Sequence, residues 1–247
     1  MRGLTVKYTS ISEIGLLRKE NQDNVAVVEN HNALLAMVCD GIGGANAGSV
    51  ASEMAARMLA ESFVDHKYFT TLDEVTTWFN KAITEVNRAV YHESLVVPEF
   101  QGMGTTMIAC IILSDGAIAF NIGDSRIYRF ENQNLTQLSE DQTYAYEMYR
   151  RNQISKEEID KHPKRNVLMN AVGIDERISF ETITIEKGWD YLLLSSDGLH
   201  GYVPYSMITQ IMNEGNILEK RHRLMEMAYR SGGYDNISII LLEGDKK

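Results

Sequence analysis

The sequence predicts an α+β domain built in layers. Three observations carry this prediction. The order along the chain is strands, two helices, strands, two helices, strand. The first two helical runs each carry one apolar stripe, as helices packed on a sheet do. Strand-like runs in the middle of the chain lie too close together for an alternating βαβ barrel and are joined by short glycine turns.

Residues 5–12 alternate polar and apolar and predict the first strand. Residues 24–28 and 33–39 predict two more, joined by the polar turn 29–32. The third run is apolar throughout, as a strand covered on both faces would be. The loop DGIGGANAGS follows, from Asp40 to Ser49. A helix comes next, because Ala51, Ala55, Leu59 and Phe63 recur at helical spacing, as do Val50, Met54 and Met58. A second helix fits 72–94, with Leu72, Val75, Phe79, Ala82, Val86, Ala89 and Val90 on one face. After a glycine-broken loop at 101–106, strands are predicted at 106–113, 117–122 and 127–131. Their turns, Ser114-Asp115-Gly116 and Gly123-Asp124-Ser125, suggest one antiparallel meander. Residues 141–161 are charged and helical in pieces, without a strong apolar face, and suit a mobile cover. Strands at 178–185 and 191–195, helices at 205–213 and 216–230, and a β-branched strand at 237–242 complete the chain.

The chain has 247 residues, enough to bury a core without disulfides. Its net charge of −10 argues against a nucleic-acid partner, which Lys and Arg would have to hold through its phosphates. Cys39 and Cys110 sit inside apolar runs and read as buried thiols. Neither has Arg six positions on, so a thiolate phosphatase loop is absent. The N-terminus lacks the apolar core of a secretory signal, and apolar runs of about seven residues are far too short for a membrane span. The expectation is a cytoplasmic protein with no membrane partner.

Five aspartates fall at strand edges: Asp23, Asp40, Asp124, Asp197 and Asp235. Three of them have glycine as an immediate neighbour. One such Asp-Gly pair is an ordinary turn. Five make a different case, because strand ends from separate segments can converge at one edge of a sheet. Carboxylates without neighbouring thiols suit hard cations with oxygen ligands. The six histidines show no zinc-like spacing. Two divalent ions about 4 Å apart would lower the pKa of a bridging water and neutralise a phosphate under attack. Arg18 is the candidate phosphate donor, since a planar guanidinium grips two oxygens at once.

Other phosphate chemistries fail on spacing. The dinucleotide glycine pattern has Asn46 at its third position, and Ser49 stands where a phosphate-loop lysine belongs. Ser195 and Ser196 lack the Gly-x-Ser-x-Gly elbow of a serine hydrolase.

The segments RKENQD, VCDGIGGANAGSVAS, GMGTTM, IGDSRIY, HPKRNVL, SSDGL and GGYDNIS, taken in order, resemble the metal-dependent protein phosphatase family, type 2C, and its compact bacterial members in particular. The resemblance spans nearly the whole chain. It implies one catalytic domain over 1–247, a four-layer α/β/β/α sandwich of two antiparallel sheets flanked by helix pairs, and a variable flap at about 141–161. It implies two Mn²⁺ or Mg²⁺ ions, with a third in bacterial members. By position, Asp40 would bridge both metals, and Asp197 and Asp235 would hold the first. The Gly41 carbonyl would hold the second, and Asp124 with Asp197 the third. Asp23 would support metal-bound waters, Arg18 would bind phosphate, and Asn236 would brace the last turn.

The implied reaction is hydrolysis of phosphoserine and phosphothreonine in proteins, by in-line attack of a water between two metals. Family habit adds a Ser/Thr kinase among the substrates and a monomeric state. Three positions depart from the family pattern. Gln22 replaces a metal-associated Glu, Ile42 stands where animal members have a His, and Gln142 follows Asp141 where His is common. Gln22 supports the alternative, a catalytically weak module of the same fold that binds metal or a phosphopeptide.

Overall fold

The computed structural model of the protein describes residues 6–44 and 47–244. Thr5, at the start of the first predicted strand, and Ala45 and Asn46 of the glycine loop lie outside them. The strands are β1 (Lys7–Glu13), β2 (Asp23–Glu29), β3 (Leu34–Ile42), β4 (Gly104–Thr105), β5 (Met107–Leu113), β6 (Gly116–Ile122), β7 (Arg126–Glu131), β8 (Asn134–Gln137), β9 (Glu181–Ile185), β10 (Tyr191–Ser195) and β11 (Ile237–Glu243). The helices are α1 (Ala47–Asp65), α2 (Leu72–Val96), α3 (Tyr144–Arg150), α4 (Lys156–Ile159), α5 (Asp197–His200), α6 (Tyr205–Met212) and α7 (Ile217–Arg230).

Two antiparallel sheets form. One has the order β1-β11-β10-β7-β8, the other β2-β3-β5-β6-β9, with β4 added beside the end of β3. Alternation along β3 sorts its side chains between two cores. Leu35, Met37 and Cys39 turn toward α1 and α2, where Ala51, Ala55, Leu59, Phe63, Phe79 and Val86 are buried. Leu34, Ala36 and Val38 turn the other way and meet Leu192, Leu194, Ile240 and Leu242 of the facing sheet. A third core seats α6 and α7 on the outer face of that sheet, through Ile208, Ile211, Leu224, Leu193 and Leu241. The four layers are therefore helices, sheet, sheet, helices. Burying each such Leu or Ile contributes about 1.5–3 kcal/mol, which is why period-two alternation decides which sheet face a residue takes.

The helix ends follow from local chemistry. Thr71 caps α2 by accepting from the Glu74 N–H, and Asn216 caps α7 in a reciprocal box with Glu219. Asn87 lies buried on the inner face of α2. Its amide accepts from Gly173 N–H and donates to the carbonyls of Asp175 and Glu176, which pins that loop to the helix.

One expectation fails. The strands after residue 106 do not make a single meander. β5 and β6 pair with each other, but β7 leaves them and pairs with β10 and β8 in the other sheet. Gly123-Asp124-Ser125 is thus a crossover between sheets, not a hairpin turn. The physical reason lies in the partners. β6 gains β9 on its free edge, and β7 lies beside β10, which offers the apolar run Tyr191–Ser195. Smaller differences concern edges. The strand predicted from 178 begins at Glu181, β3 continues past Asp40 to Ile42, and β4, β8 and α5 were not anticipated. Both cysteines are buried and unpaired. Among the described residues, no helix is long and apolar enough to cross a membrane.

Candidate active site

The aspartates gather at one end of the sandwich because of which strand ends meet there. Asp23 opens β2 and is paired in register with Asp40 near the end of β3. Asp197 follows β10 and Asp235 precedes β11, in the facing sheet. Asp124 lies on the crossover between the two sheets.

Hydrogen bonds fix the Asp40 backbone. The Asp40 N–H donates to Thr106 Oγ1 at 3.1 Å, and its carbonyl accepts from Thr105 Oγ1 and the Thr106 N–H. Thr106 Oγ1 also bonds Ser125 Oγ at 2.8 Å, which links Asp40 to the loop of Asp124. Gly41 follows, and its neighbourhood admits no side chain. A Cβ there would stand 2.1 Å from the Gly48 carbonyl oxygen and 2.6 Å from that of Gln22. Gly198 is under the same constraint, since a Cβ would lie 1.8 Å from the Asn236 carbonyl oxygen. That close approach seats α5, and with it Asp197, against the start of β11.

Asn236 holds the two chain segments nearest Arg18 together. Its side-chain oxygen accepts the Gln22 N–H at 2.8 Å, and its amide donates to the carbonyls of Ile14 and Glu20, both at 2.9 Å. Arg18, half exposed at 52%, donates from Nη2 to Asp235 Oδ2 at 2.7 Å. Ser196 Oγ donates to Asp23 Oδ2 at 2.7 Å and accepts the Ser238 N–H, so it joins Asp23 to the opposite sheet.

The electrostatics are those of a crowded anionic site. Asp40 is held well above the usual carboxylate range, by burial first and then by the charges of Asp23, Asp197, Asp124 and Asp235. Asp197 is raised in the same way, by burial and by Asp124, Asp235 and Asp23. Burial pushes Asp124 up to about 7, with Asp141 adding and Arg126 opposing. Burial likewise pushes Asp23 up to about 6. Asp23 Oδ1 and Asp197 Oδ1 are buried without a hydrogen-bond partner. Acceptors of that kind cost roughly 1–3 kcal/mol each unless a donor or a cation meets them.

These groups fit a hard divalent cation. The donors are carboxylate oxygens and a backbone carbonyl, the set such ions take. Among the described residues, no three His, Cys, Asp or Glu side chains close into a complete ligand group.

A cavity of about 470 Å³ opens beside the cluster, lined by Asp124, Asp197, Arg165, His200 and Tyr202 among others. His200 Nδ1 bonds Ser195 Oγ at 3.0 Å, and burial holds its ring well below the ordinary imidazole range. It is therefore a neutral brace behind Asp124, and histidine spacing alone gave no sign of it. Arg126 makes a two-point ion pair with Asp141, at 2.8 and 2.6 Å.

Sequence reasoning also left Gln142 without a role. Its oxygen accepts the Gly123 N–H at 2.9 Å and its amide donates to the Asn121 carbonyl at 3.1 Å. An uncharged amide supplies both the acceptor and the donor, and the pair of bonds fixes the Asp124 crossover to the segment just before α3.

The Protein phosphatase 2C family model matches residues 18–229. The serine/threonine phosphatase stp of Listeria monocytogenes is 38% identical over 94% of this chain and 93% of its own. The protein phosphatase PhpP of Streptococcus pneumoniae is 34% identical over 96% and 97%. The crystal structure of serine/threonine phosphatase Stp1 from Staphylococcus aureus superposes with a TM-score of 0.94 at 30% identity, covering 99% of this chain and 97% of that one. With the carboxylate cluster, the paired sheets and these likenesses together, the chain belongs to the protein phosphatase 2C family.

Proposed function

We propose that the protein hydrolyses phosphoserine and phosphothreonine in proteins, with Mn²⁺ or Mg²⁺ bound among its aspartates. The observation that carries this reading is the convergence of Asp23, Asp40, Asp124, Asp197 and Asp235 on one end of both sheets, next to half-exposed Arg18. In this reading Asp40, Asp197, Asp235 and the Gly41 carbonyl would hold two of the ions, and Asp124 with Asp197 would hold a third. Bound there, the ions would supply a water of lowered pKa and offset the charge of the phosphate.

The chain's own groups orient the reaction. The Arg18 guanidinium binds the phosphate oxygens and exchanges its bond to Asp235 for them. Asp23 accepts hydrogen bonds from waters around the cluster through its unpartnered oxygen. A water oxygen forms the new bond to phosphorus as the bond to the seryl or threonyl oxygen breaks in line with it, and the proton that the water gives up balances the one taken up by the departing oxygen. Gln22 contributes its backbone, which bonds Asn236, Ser52 and Gly41, so the frame does not depend on a charged side chain there.

The whole chain serves as one catalytic domain, with 141–161 as the flap beside the substrate. The substrates are phosphoproteins, a Ser/Thr kinase among them, and the protein works as a cytoplasmic monomer. The test is phosphate release from a phosphothreonine peptide, with Mn²⁺ and with chelator, for wild type and Asp197→Ala. Turnover that needs Mn²⁺ and is lost in the variant is expected. Metal binding without turnover would leave a binding module instead.

A further inference from the structure

Residues 14–18 and 232–236 run side by side at the mouth of the site. The Leu16 N–H donates to the Gly233 carbonyl at 2.7 Å, and the Asn236 amide reaches the Ile14 carbonyl at 2.9 Å. The first segment ends in Arg18, which is bonded to Asp235 in the second. The same two segments expose large apolar side chains. Leu16 is 63% exposed and Tyr234 is 50% exposed. The Tyr234 ring lies 5.3 Å, centroid to centroid, from that of Tyr202. Tyr202 in turn lines the cavity that Asp124 and Asp197 share. Tyr234 and Tyr202 therefore form an aromatic rim at the cavity, and Leu16, bonded to Gly233 beside Tyr234 in sequence, adds an exposed apolar group on the paired segment. Single exposed apolar residues are ordinary, whereas a group of them beside a polar site marks a binding surface.

We propose that Leu16, Tyr202 and Tyr234 form a subsite for a bulky apolar residue next to the phosphoserine or phosphothreonine of the substrate. This rests on the phosphatase reading, because Arg18 then places the phosphate. Consecutive Cα atoms are about 3.8 Å apart, and Tyr202 lies near enough to Arg18 for their charges to interact, so a residue one or two positions from the phosphoresidue falls at this rim. Aromatic faces suit an aliphatic or aromatic partner and lose little conformational entropy on binding it. An acidic neighbour would instead place a charge against apolar faces that offer it no partner. The rim therefore selects apolar over acidic flanking residues.

The test uses the full chain with Mn²⁺ and four phosphothreonine peptides of equal length. Their two flanking positions carry Leu, Phe, Ala or Asp, and capped phosphothreonine serves as the minimal substrate. Wild type is expected to favour Leu and Phe over Asp by about tenfold in kcat/KM, the scale of one good apolar contact. Tyr234→Ala and Leu16→Ala should each compress that ratio toward about twofold, and Tyr234→Phe should keep it. Turnover of capped phosphothreonine without any flank preference would overturn the subsite alone. So would variants that slow every peptide equally. No turnover of any substrate would overturn the phosphatase reading beneath it.

Discussion

Asp23 and Asp40 stand directly opposite each other across the β2–β3 ladder, two carboxylates on one face of one sheet. Like charges in such a pair destabilise a sheet, and here burial adds to the cost. Replacing Asp23 with Asn removes the repulsion and leaves an oxygen for the Ser196 hydroxyl. Metal-free Asp23→Asn should be more stable than wild type by up to ~1 kcal/mol in urea denaturation. Its kcat/KM should fall about 10–100-fold, as loss of an outer partner of a metal site does. An unchanged kcat/KM would remove Asp23 from the proposed machinery.

The raised carboxyls set a pH dependence. Asp23 at about 6 and Asp124 at about 7 keep protons in the folded state that the unfolded chain has lost above about pH 4. Their contribution to stability is full below pH 4 and is lost as pH rises through 6 and 7. The Tm of chelated protein should therefore fall between pH 5 and 8, and Asp124→Asn should flatten the fall. Saturating Mn²⁺ should oppose it, because ions bind the deprotonated groups. Differential scanning fluorimetry across that range would read all three outcomes, and a Tm that rises with pH in chelator would contradict the argument.

Thr106 holds Asp40 through one hydroxyl. Thr106→Val keeps the shape but leaves the Asp40 N–H and the Ser125 hydroxyl without that partner, in a buried setting. The expected loss is about 1–3 kcal/mol of stability. Activity should fall further than Ser125→Ala lowers it, since of these two residues Thr106 is the one bonded to the Asp40 backbone. Urea denaturation beside steady-state kinetics would separate the two effects.

Much of this was legible in the chain. The spacing of Ala51, Ala55, Leu59 and Phe63 marked the buried face of α1, and all four are fully buried. The unbroken apolar run before Asp40 marked a strand with a core on each face, as β3 has. What stayed hidden depends on distant partners. A glycine turn such as Gly123-Asp124-Ser125 reads the same whether the next strand returns beside the last or crosses to another sheet. The deciding partner, β10, comes some sixty residues later. Gln142 and His200 were opaque for the same reason. Their work lies in bonds to Gly123, Asn121 and Ser195, which no local pattern shows.

The crossover at Asp124 bears on how the molecule comes apart. Asp23 and Asp40 belong to one sheet, Asp197 and Asp235 adjoin the other, and neither sheet is made from one continuous stretch of chain. An ion shared among them would act as a rivet through two plates, and its grip would exist only while the plates are aligned. Its binding free energy would then oppose separation of the halves, as well as global unfolding. Release of the ion would become a gauge of sheet-to-sheet docking, sensitive to packing at Leu194 and Ile240 deep between the sheets.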